Sequence, residues 1–321
     1  MASYHLSNTI ANFNQTDSKL PAMTVSAGTS ITSTTTTPFK LNSSKLCSTG
    51  LQHLPQGHSQ IINHIENSQE PSTRASSSSS QQFHLRIGIV GLGAFGQFLA
   101  KAFQRQGHHV LGTSRSDYSD YCQEQGIIFF QDLNGLCEAQ PDVLLACSSI
   151  LSTEDIVRGI PFHKLKSNTI LADVLSVKEF PKKLFLDVVP KDFGILCTHP
   201  MFGKYSGKNS WEGLRFVYDK VRIAENSIQQ RKCEQFLNIF QDQGCRMVEM
   251  SCEEHDQYAA ESQFITHTIA RILSNMNLGS TPINTKNFET LMELTENTVS
   301  HGSDLYDGLF MYNVNAPKQA T

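Results

Sequence analysis

The chain has 321 residues, with 26 Lys and Arg against 30 Asp and Glu, for a net charge of −4. This length accommodates a leader and two modest domains. The scattered basic residues argue against a nucleic-acid partner, and no apolar run approaches the roughly 18 residues that cross a membrane. Eight cysteines lie without C-x-x-C pairing, several inside apolar strand-like runs such as those around Cys147 and Cys197. They read as buried reduced thiols; neither a disulfide frame nor a metal site is expected.

Residues 1–82 are rich in Ser and Thr, with runs at Thr34–Thr37 and Ser76–Ser80, and their only acidic residues are Asp17, Glu66 and Glu70. They contain no apolar core of a secretory signal. A Ser-rich, acid-poor start before an enzyme-like domain predicts a disordered organelle transit peptide, and its few arginines favour the chloroplast. An ordinary tail is the alternative.

The first strand is predicted at Leu85–Val90. It feeds Gly91-Leu92-Gly93-Ala94-Phe95-Gly96, a G-x-G-x-x-G at a strand-to-helix turn. In such a turn the first glycine allows the bend, the second lets backbone approach a pyrophosphate, and the third lets helix pack on strand. An amphipathic helix follows (Phe95, Phe98, Leu99, Ala102, Phe103), closed by Gly107. Dinucleotide binding is the expected consequence, with the phosphates at the helix N-terminus.

The second strand, His109–Thr113, runs into Ser114-Arg115-Ser116, and Asp117 comes only after them. An NAD site usually has an acidic residue at this strand end. Arg115 suits a 2′-phosphate instead, with Ser114 and Ser116 adding hydrogen bonds, so NADP is the expected cofactor.

Further strands are predicted at Asp142–Cys147, Thr169–Val174, Phe193–Thr198, Phe216–Ala224 and Cys245–Met250, with a clear helix at Ile228–Phe240. Strands alternating with helices predict an α/β fold, a Rossmann-type doubly wound parallel sheet over residues 83–252. A small all-helical domain is expected over 253–321. Its first helix is predicted at His255–Met276, with Tyr258, Ala259, Ser262, Ile265, Ile269, Ile272 and Met276 on one face, and its second at Asn287–Ser300. This part is too short to bury a core alone, so a homodimer is expected.

Ligand chemistry belongs at the carboxyl ends of the strands. Ser148 and Ser149 follow one strand and would line the cofactor path. Asp173–Lys178 follows the next. His199 ends another, before Pro200, a rigid mount for an imidazole that can act as a base near neutral pH.

Asp173–Lys178, His199-Pro200-Met201-Phe202-Gly203, Glu254-His255-Asp256 and Ser262-Gln263-Phe264-Ile265-Thr266-His267 together resemble the prephenate/arogenate dehydrogenase family. Thr281–Lys286 and Gly308–Asn313 are similar to its plant arogenate-type members. The resemblance covers about Leu85 to Asn313. It implies an NADP-dependent oxidative decarboxylation of arogenate to tyrosine and CO₂ in a plastid, with prephenate as the alternative substrate. It also implies that His199 accepts the proton of the substrate's C4 hydroxyl, and that Ser176 hydrogen-bonds to the same hydroxyl and to His199. Gln263, Thr266, Lys286 and Glu296 are candidate substrate contacts. The chain departs from many relatives at Lys204-Tyr205, where an acidic residue is common, and at Gln263, where bacterial prephenate-type members have histidine. It ends at Thr321, soon after the matching segment, so a shortened helical domain and a weakened dimer are expected. Two other readings stay open: an NADP-dependent β-hydroxy-acid or imine reductase using Lys286, and an NADP-binding sensor without turnover.

Overall fold

The computed structural model describes residues 84–300 and 302–319, so the leader expected over 1–82 lies outside the described residues. The order of elements is β1 (Arg86–Val90), α1 (Ala94–Arg105), β2 (His109–Thr113), α2 (Ser119–Gln125), β3 (Ile128–Phe130), α3 (Leu133–Glu138), β4 (Val143–Ala146) and α4 (Ile150–Arg158). Then come β5 (Ile170–Asp173), α5 (Glu179–Val188), β6 (Gly194–Pro200), β7 (Arg215–Arg222), α6 (Ile228–Asp242) and β8 (Arg246–Glu249). The chain continues with α7 (Cys252–Ala259), a π-helical turn (Ala260–Phe264), α8 (Ile265–Asn275), α9 (Lys286–Val299), α10 (Ser303–Tyr312) and α11 (Ala316–Gln319).

The strands form one sheet in the order β3-β2-β1-β4-β5-β6-β7-β8. All neighbours are parallel except β6 and β7. The expected parallel sheet is therefore corrected at one edge: it is mostly parallel, with β7 and β8 reversed. The cause is the connection. Residues 201–214 contain no helix, and without a crossover element the chain can only turn back beside β6. α6 then carries it over to β8 in parallel with β7. The short edge strand β3 was not expected. His199, expected to end a strand, is the penultimate residue of β6, which runs on to Pro200.

Alternation along the inner strands divides the core. Ile87, Ile89, Val143, Leu145, Ile170 and Leu196 face Phe103 of α1 and Phe236 and Phe240 of α6. Val90, Leu144, Leu171, Ile195 and Cys197 face Leu136 of α3, Val157 of α4 and Phe185 of α5. Every residue of β4, β5 and β6 is buried, as strands covered on both faces must be. Burial pushes the Cys147 thiol up to about 12, which keeps it protonated.

A third, smaller cluster joins the helices to the sheet. Ile150 at the start of α4 and Leu175 and Val177 after β5 pack against Phe264 of the π-helical turn, Leu309 of α10 and Ala316. The close approach has a steric basis: a Cβ on Gly308 would lie 2.7 Å from the Ile150 side chain. The expected single helix His255–Met276 starts earlier, at Cys252, and is widened at Ala260–Phe264. Its apolar stripe is left open by the described residues: Ile269, Ile272 and Met276 are 45%, 57% and 58% exposed. No described helix is long and apolar enough to cross a membrane.

Candidate active site

The glycine turn takes the geometry its residues permit. Gly91 has φ +108°, a conformation side chains rarely adopt, and a Cβ there would meet the Cys147 carbonyl oxygen at 2.6 Å. Its N–H donates to the Thr113 carbonyl at 2.9 Å, joining the ends of β1 and β2. A Cβ on Gly96 would overlap the Gly91 carbonyl, whereas one on Gly93 would meet nothing within 4 Å. Space is therefore open in front of α1, whose first N–H groups lack helical partners. Gly93 caps the helix without a side chain, and no acidic residue lies in its first turn. This cradle fits the pyrophosphate of a dinucleotide. Ala94 is exposed and Phe95 half-buried, Phe95 stacking on Phe98. Leu92 instead inserts its side chain into the core, so only its backbone is available to a ligand.

At the end of β2, Ser114 is half-buried while Arg115 and Ser116 are exposed. The Asp117 carboxylate is already engaged. It accepts the Ser119 N–H at 2.9 Å and the Ser119 hydroxyl, and these bonds hold its pKa below the usual range. At the end of β4, the Ser148 hydroxyl lies 3.2 Å from that of Thr153, and the Ser149 hydroxyl donates to Asp304 of α10 at 3.5 Å.

His199 lies at the carboxyl end of β6, only 4% exposed. Its Nδ1 is 2.8 Å from Nε2 of His255 on α7, and Nδ1 of His255 is 2.8 Å from Oδ1 of Asp256. The Asp256 carboxylate also accepts the backbone N–H groups of Lys178 and Glu179 at 2.7 and 2.9 Å, at the start of α5. Asn313, after α10, donates its side-chain N–H to the Asp256 carbonyl at 2.8 Å. Burial first, then the neighbouring His255 and Lys178, lowers the pKa of His199 well below 6.5. The imidazole is held neutral, the form a base requires.

Beneath it lies a buried ion pair. The Lys178 ammonium donates to Asp173 and to the Thr198 carbonyl. The Asp173 carboxylate accepts the N–H groups of Leu175 at 3.0 Å and Thr198 at 3.3 Å. Burial pushes the Asp173 pKa up against the opposing pull of Lys178 and these donors. The loop between β5 and α5 is thus pinned at both ends. Leu175 and Val177 point into the third cluster, and Ser176 between them stays half-buried. Ser176 and His199 stand at the ends of adjacent strands, paired through Asp173 and Cys197, but no hydrogen bond joins them.

Gln263 sits in the π-helical turn, beside Phe264, which packs against Leu175 and Val177. Its Oε1 is buried without a hydrogen-bond partner, the kind of orphaned acceptor that marks a ligand contact. Thr266 turns its hydroxyl back to the Ser262 carbonyl at 3.0 Å. Lys286 and Glu296 lie elsewhere. Lys286 is exposed at the start of α9, its ammonium 3.4 Å from Glu289. Glu296 lines a groove between α8 and α9 with Leu273, Asn277 and Met292. The exposed Lys204 ammonium lies over the Tyr205 ring. Sequence reasoning assigned no role to His255, Asp256, Lys178 or Asp173. All four stand within motifs already singled out, Asp173–Lys178 and Glu254-His255-Asp256.

A profile described as the prephenate dehydrogenase nucleotide-binding domain matches residues 99–249, and one described as TYRAAT1-like, C-terminal domain, matches residues 272–321. Arogenate dehydrogenase 2, chloroplastic, of Arabidopsis thaliana is 57% identical over 235 residues, 73% of this chain and 66% of that protein. Arogenate dehydrogenase 1, chloroplastic, of the same plant is 55% identical over 250 residues, 78% of this chain but 39% of that protein. The chain thus spans less than two thirds of either relative. The crystal structure of prephenate dehydrogenase from A. aeolicus with hydroxyphenyl propionate and NAD+ shares the fold, with TM-score 0.58 and 19% identity over 74% of this chain and 86% of that one. By these identities and the profile over residues 99–249, the chain belongs to the prephenate/arogenate dehydrogenase family.

Proposed function

We propose that the protein is an NADP-dependent arogenate dehydrogenase that converts arogenate to tyrosine, CO₂ and NADPH. The observation that carries this reading is His199, neutral and buried, at the carboxyl end of a strand in the same sheet as the dinucleotide cradle. The Gly91–Gly96 turn would hold the dinucleotide, whose nicotinamide would supply the acceptor for the hydride on C4 of the substrate ring. As the hydride leaves, His199 takes the proton of the C4 hydroxyl and Ser176 holds the same oxygen. When CO₂ departs, its bonding pair completes the aromatic ring and the phenolate oxygen takes the proton back. The test is NADPH formation with arogenate and, separately, prephenate. Faster turnover of arogenate is expected. Turnover of prephenate alone would make the protein a prephenate dehydrogenase, and turnover of neither would leave a cofactor-binding sensor.

Two observations support arogenate and NADP. The orphaned Gln263 Oε1 is an acceptor suited to the ammonium group that arogenate has and prephenate lacks. Asp117 is tied to Ser119, which leaves Arg115 to read the ribose. Arg115→Ala should weaken NADP by about ten- to hundred-fold, the loss of one charge-assisted contact worth about 1.5–3 kcal/mol, with NAD affinity almost unchanged. Equal losses for both would overturn the assignment.

The uncovered stripe of Ile269, Ile272 and Met276 supports a homodimer, since a contiguous apolar face marks an interaction site. Sedimentation should give twice the monomer mass. The composition of residues 1–82 and the chloroplastic names of both Arabidopsis relatives support a plastid location. Entry of a fluorescent fusion of residues 1–80 into plastids would check it.

A further inference from the structure

We propose that His255 and Asp256 are positioning residues that fix His199 in the tautomer with a bare Nε2, the atom that accepts the substrate's proton. The inference rests on reading His199 as the base. It follows from counting donors. The Asp256 carboxylate meets three N–H groups: those of Lys178 and Glu179 at the start of α5, and His255 Nδ1. Every contact uses it as an acceptor, so His255 Nδ1 must carry a hydrogen. With the imidazole proton on Nδ1, the lone pair of His255 is on Nε2. That atom lies 2.8 Å from His199 Nδ1, so His199 Nδ1 is the donor of this bond. A neutral His199 with its proton on Nδ1 has its lone pair on Nε2.

The arrangement is built to hold one register. Asp256 is gripped at its carboxylate by the first N–H groups of α5 and at its carbonyl by Asn313, and His255, Asp256 and Asn313 are all buried. The two imidazoles meet edge-on, with ring centroids 5.1 Å apart and an interplanar angle of 63°. The charged and titratable groups acting on His199 are His255 from α7 and Lys178 from the β5–α5 loop, and Val217 of β7 pairs with it in the sheet. Among these, only His255 bonds the ring. When His199 takes a proton on Nε2, its Nδ1–H still points at the His255 lone pair. The new charge is then two hydrogen bonds from the Asp256 carboxylate. In the serine-hydrolase triad an aspartate sets a catalytic imidazole's tautomer directly, and its amide variant costs about 10⁴-fold in kcat. Here a second imidazole stands between.

The test is Asp256→Asn. Its amide N–H can donate to His255 Nδ1, which reverses both tautomers and puts a hydrogen on His199 Nε2. The expected result is a loss of kcat of about 10²-fold or more, with KM for arogenate and NADP within a few-fold. In ¹⁵N NMR, His199 Nε2 should change from bare to protonated, a readout independent of turnover. Because Asp256 also caps α5, a second pair guards against misfolding. His255→Phe removes the acceptor and should lose a comparable factor. His255→Gln, whose carbonyl can accept from His199 Nδ1, should recover most of it. A bare His199 Nε2 in folded Asp256→Asn, or equal losses in His255→Gln and His255→Phe, overturns the inference. Retained turnover in His199→Ala would instead overturn the reading of His199 as base.

Discussion

Replacing His199 by alanine should lower kcat by about 10²–10⁴-fold, the usual contribution of a positioned base. The affinity for NADP should survive, because the proposed phosphate cradle at Gly91–Gly96 follows β1, three strands from β6. His199→Asn should do no better, since an amide can bond the C4 hydroxyl but cannot take its proton. The pH profile adds a signed expectation. Burial, then His255 and Lys178, holds the His199 pKa well below 6.5. The acidic limb of kcat/KM should therefore lie below pH 6.5 and vanish in both variants. The same shift affects stability. In the unfolded chain His199 binds its proton near pH 6.5, while in the folded chain it does so only at lower pH. The folded state is therefore weakened as the pH falls from 6.5 toward the lowered value. Near-normal turnover by His199→Ala would remove the proposed mechanism.

Replacing Lys178 by methionine should cost about 3–5 kcal/mol of stability at neutral pH, the range for removing one partner of a buried ion pair. Asp173 would be left with its backbone donors and no cation in a fully buried site. Its carboxyl is already pushed up by burial, and without Lys178 it would rise further. An acid with a raised folded pKa loses stability as pH rises through that value, so the deficit should shrink toward pH 4. Chemical denaturation at pH 7 and pH 4.5 reads the difference directly. The double variant Asp173→Asn/Lys178→Met should recover about half the loss, because no buried charge remains. A Lys178→Met protein as stable as wild type at pH 7 would mean that water reaches Asp173.

What could be read from residues alone follows physical locality. The glycine turn was legible because its constraints are steric and fall within six residues. His199 was legible because a strand end followed by proline is a local signal. The reversal of β7 was legible in principle, since residues 201–214 show no helical period from which to build a crossover, but composition offers no sign of direction. His255 and Asp256 stood in a recognised motif, yet their role depends on α7 meeting the ends of β6 and α5, a contact across 56 residues of chain for the His199–His255 bond. The π-helical turn has no sequence mark in Ala260–Phe264, although its consequence, a stranded Gln263 carbonyl, is chemically telling. The apolar stripe of α8 was legible as a stripe. Which surface covers it is a property of packing partners, and no helical period encodes them.

The long-range contacts at the cleft also order events in time. Ser149, after β4, meets Asp304 of α10 across 155 residues of chain. Contacts of such sequence separation close late in folding, because a long loop must be ordered before it gives any return. The glycine turn and its neighbouring strands close over shorter separations, 56 residues between Arg86 and Asp142 where β1 meets β4. During refolding the protein should therefore regain its grip on the nucleotide before it regains turnover. On the ribosome, a chain lacking its final helices would form the proposed nucleotide cradle before the rest of the proposed site.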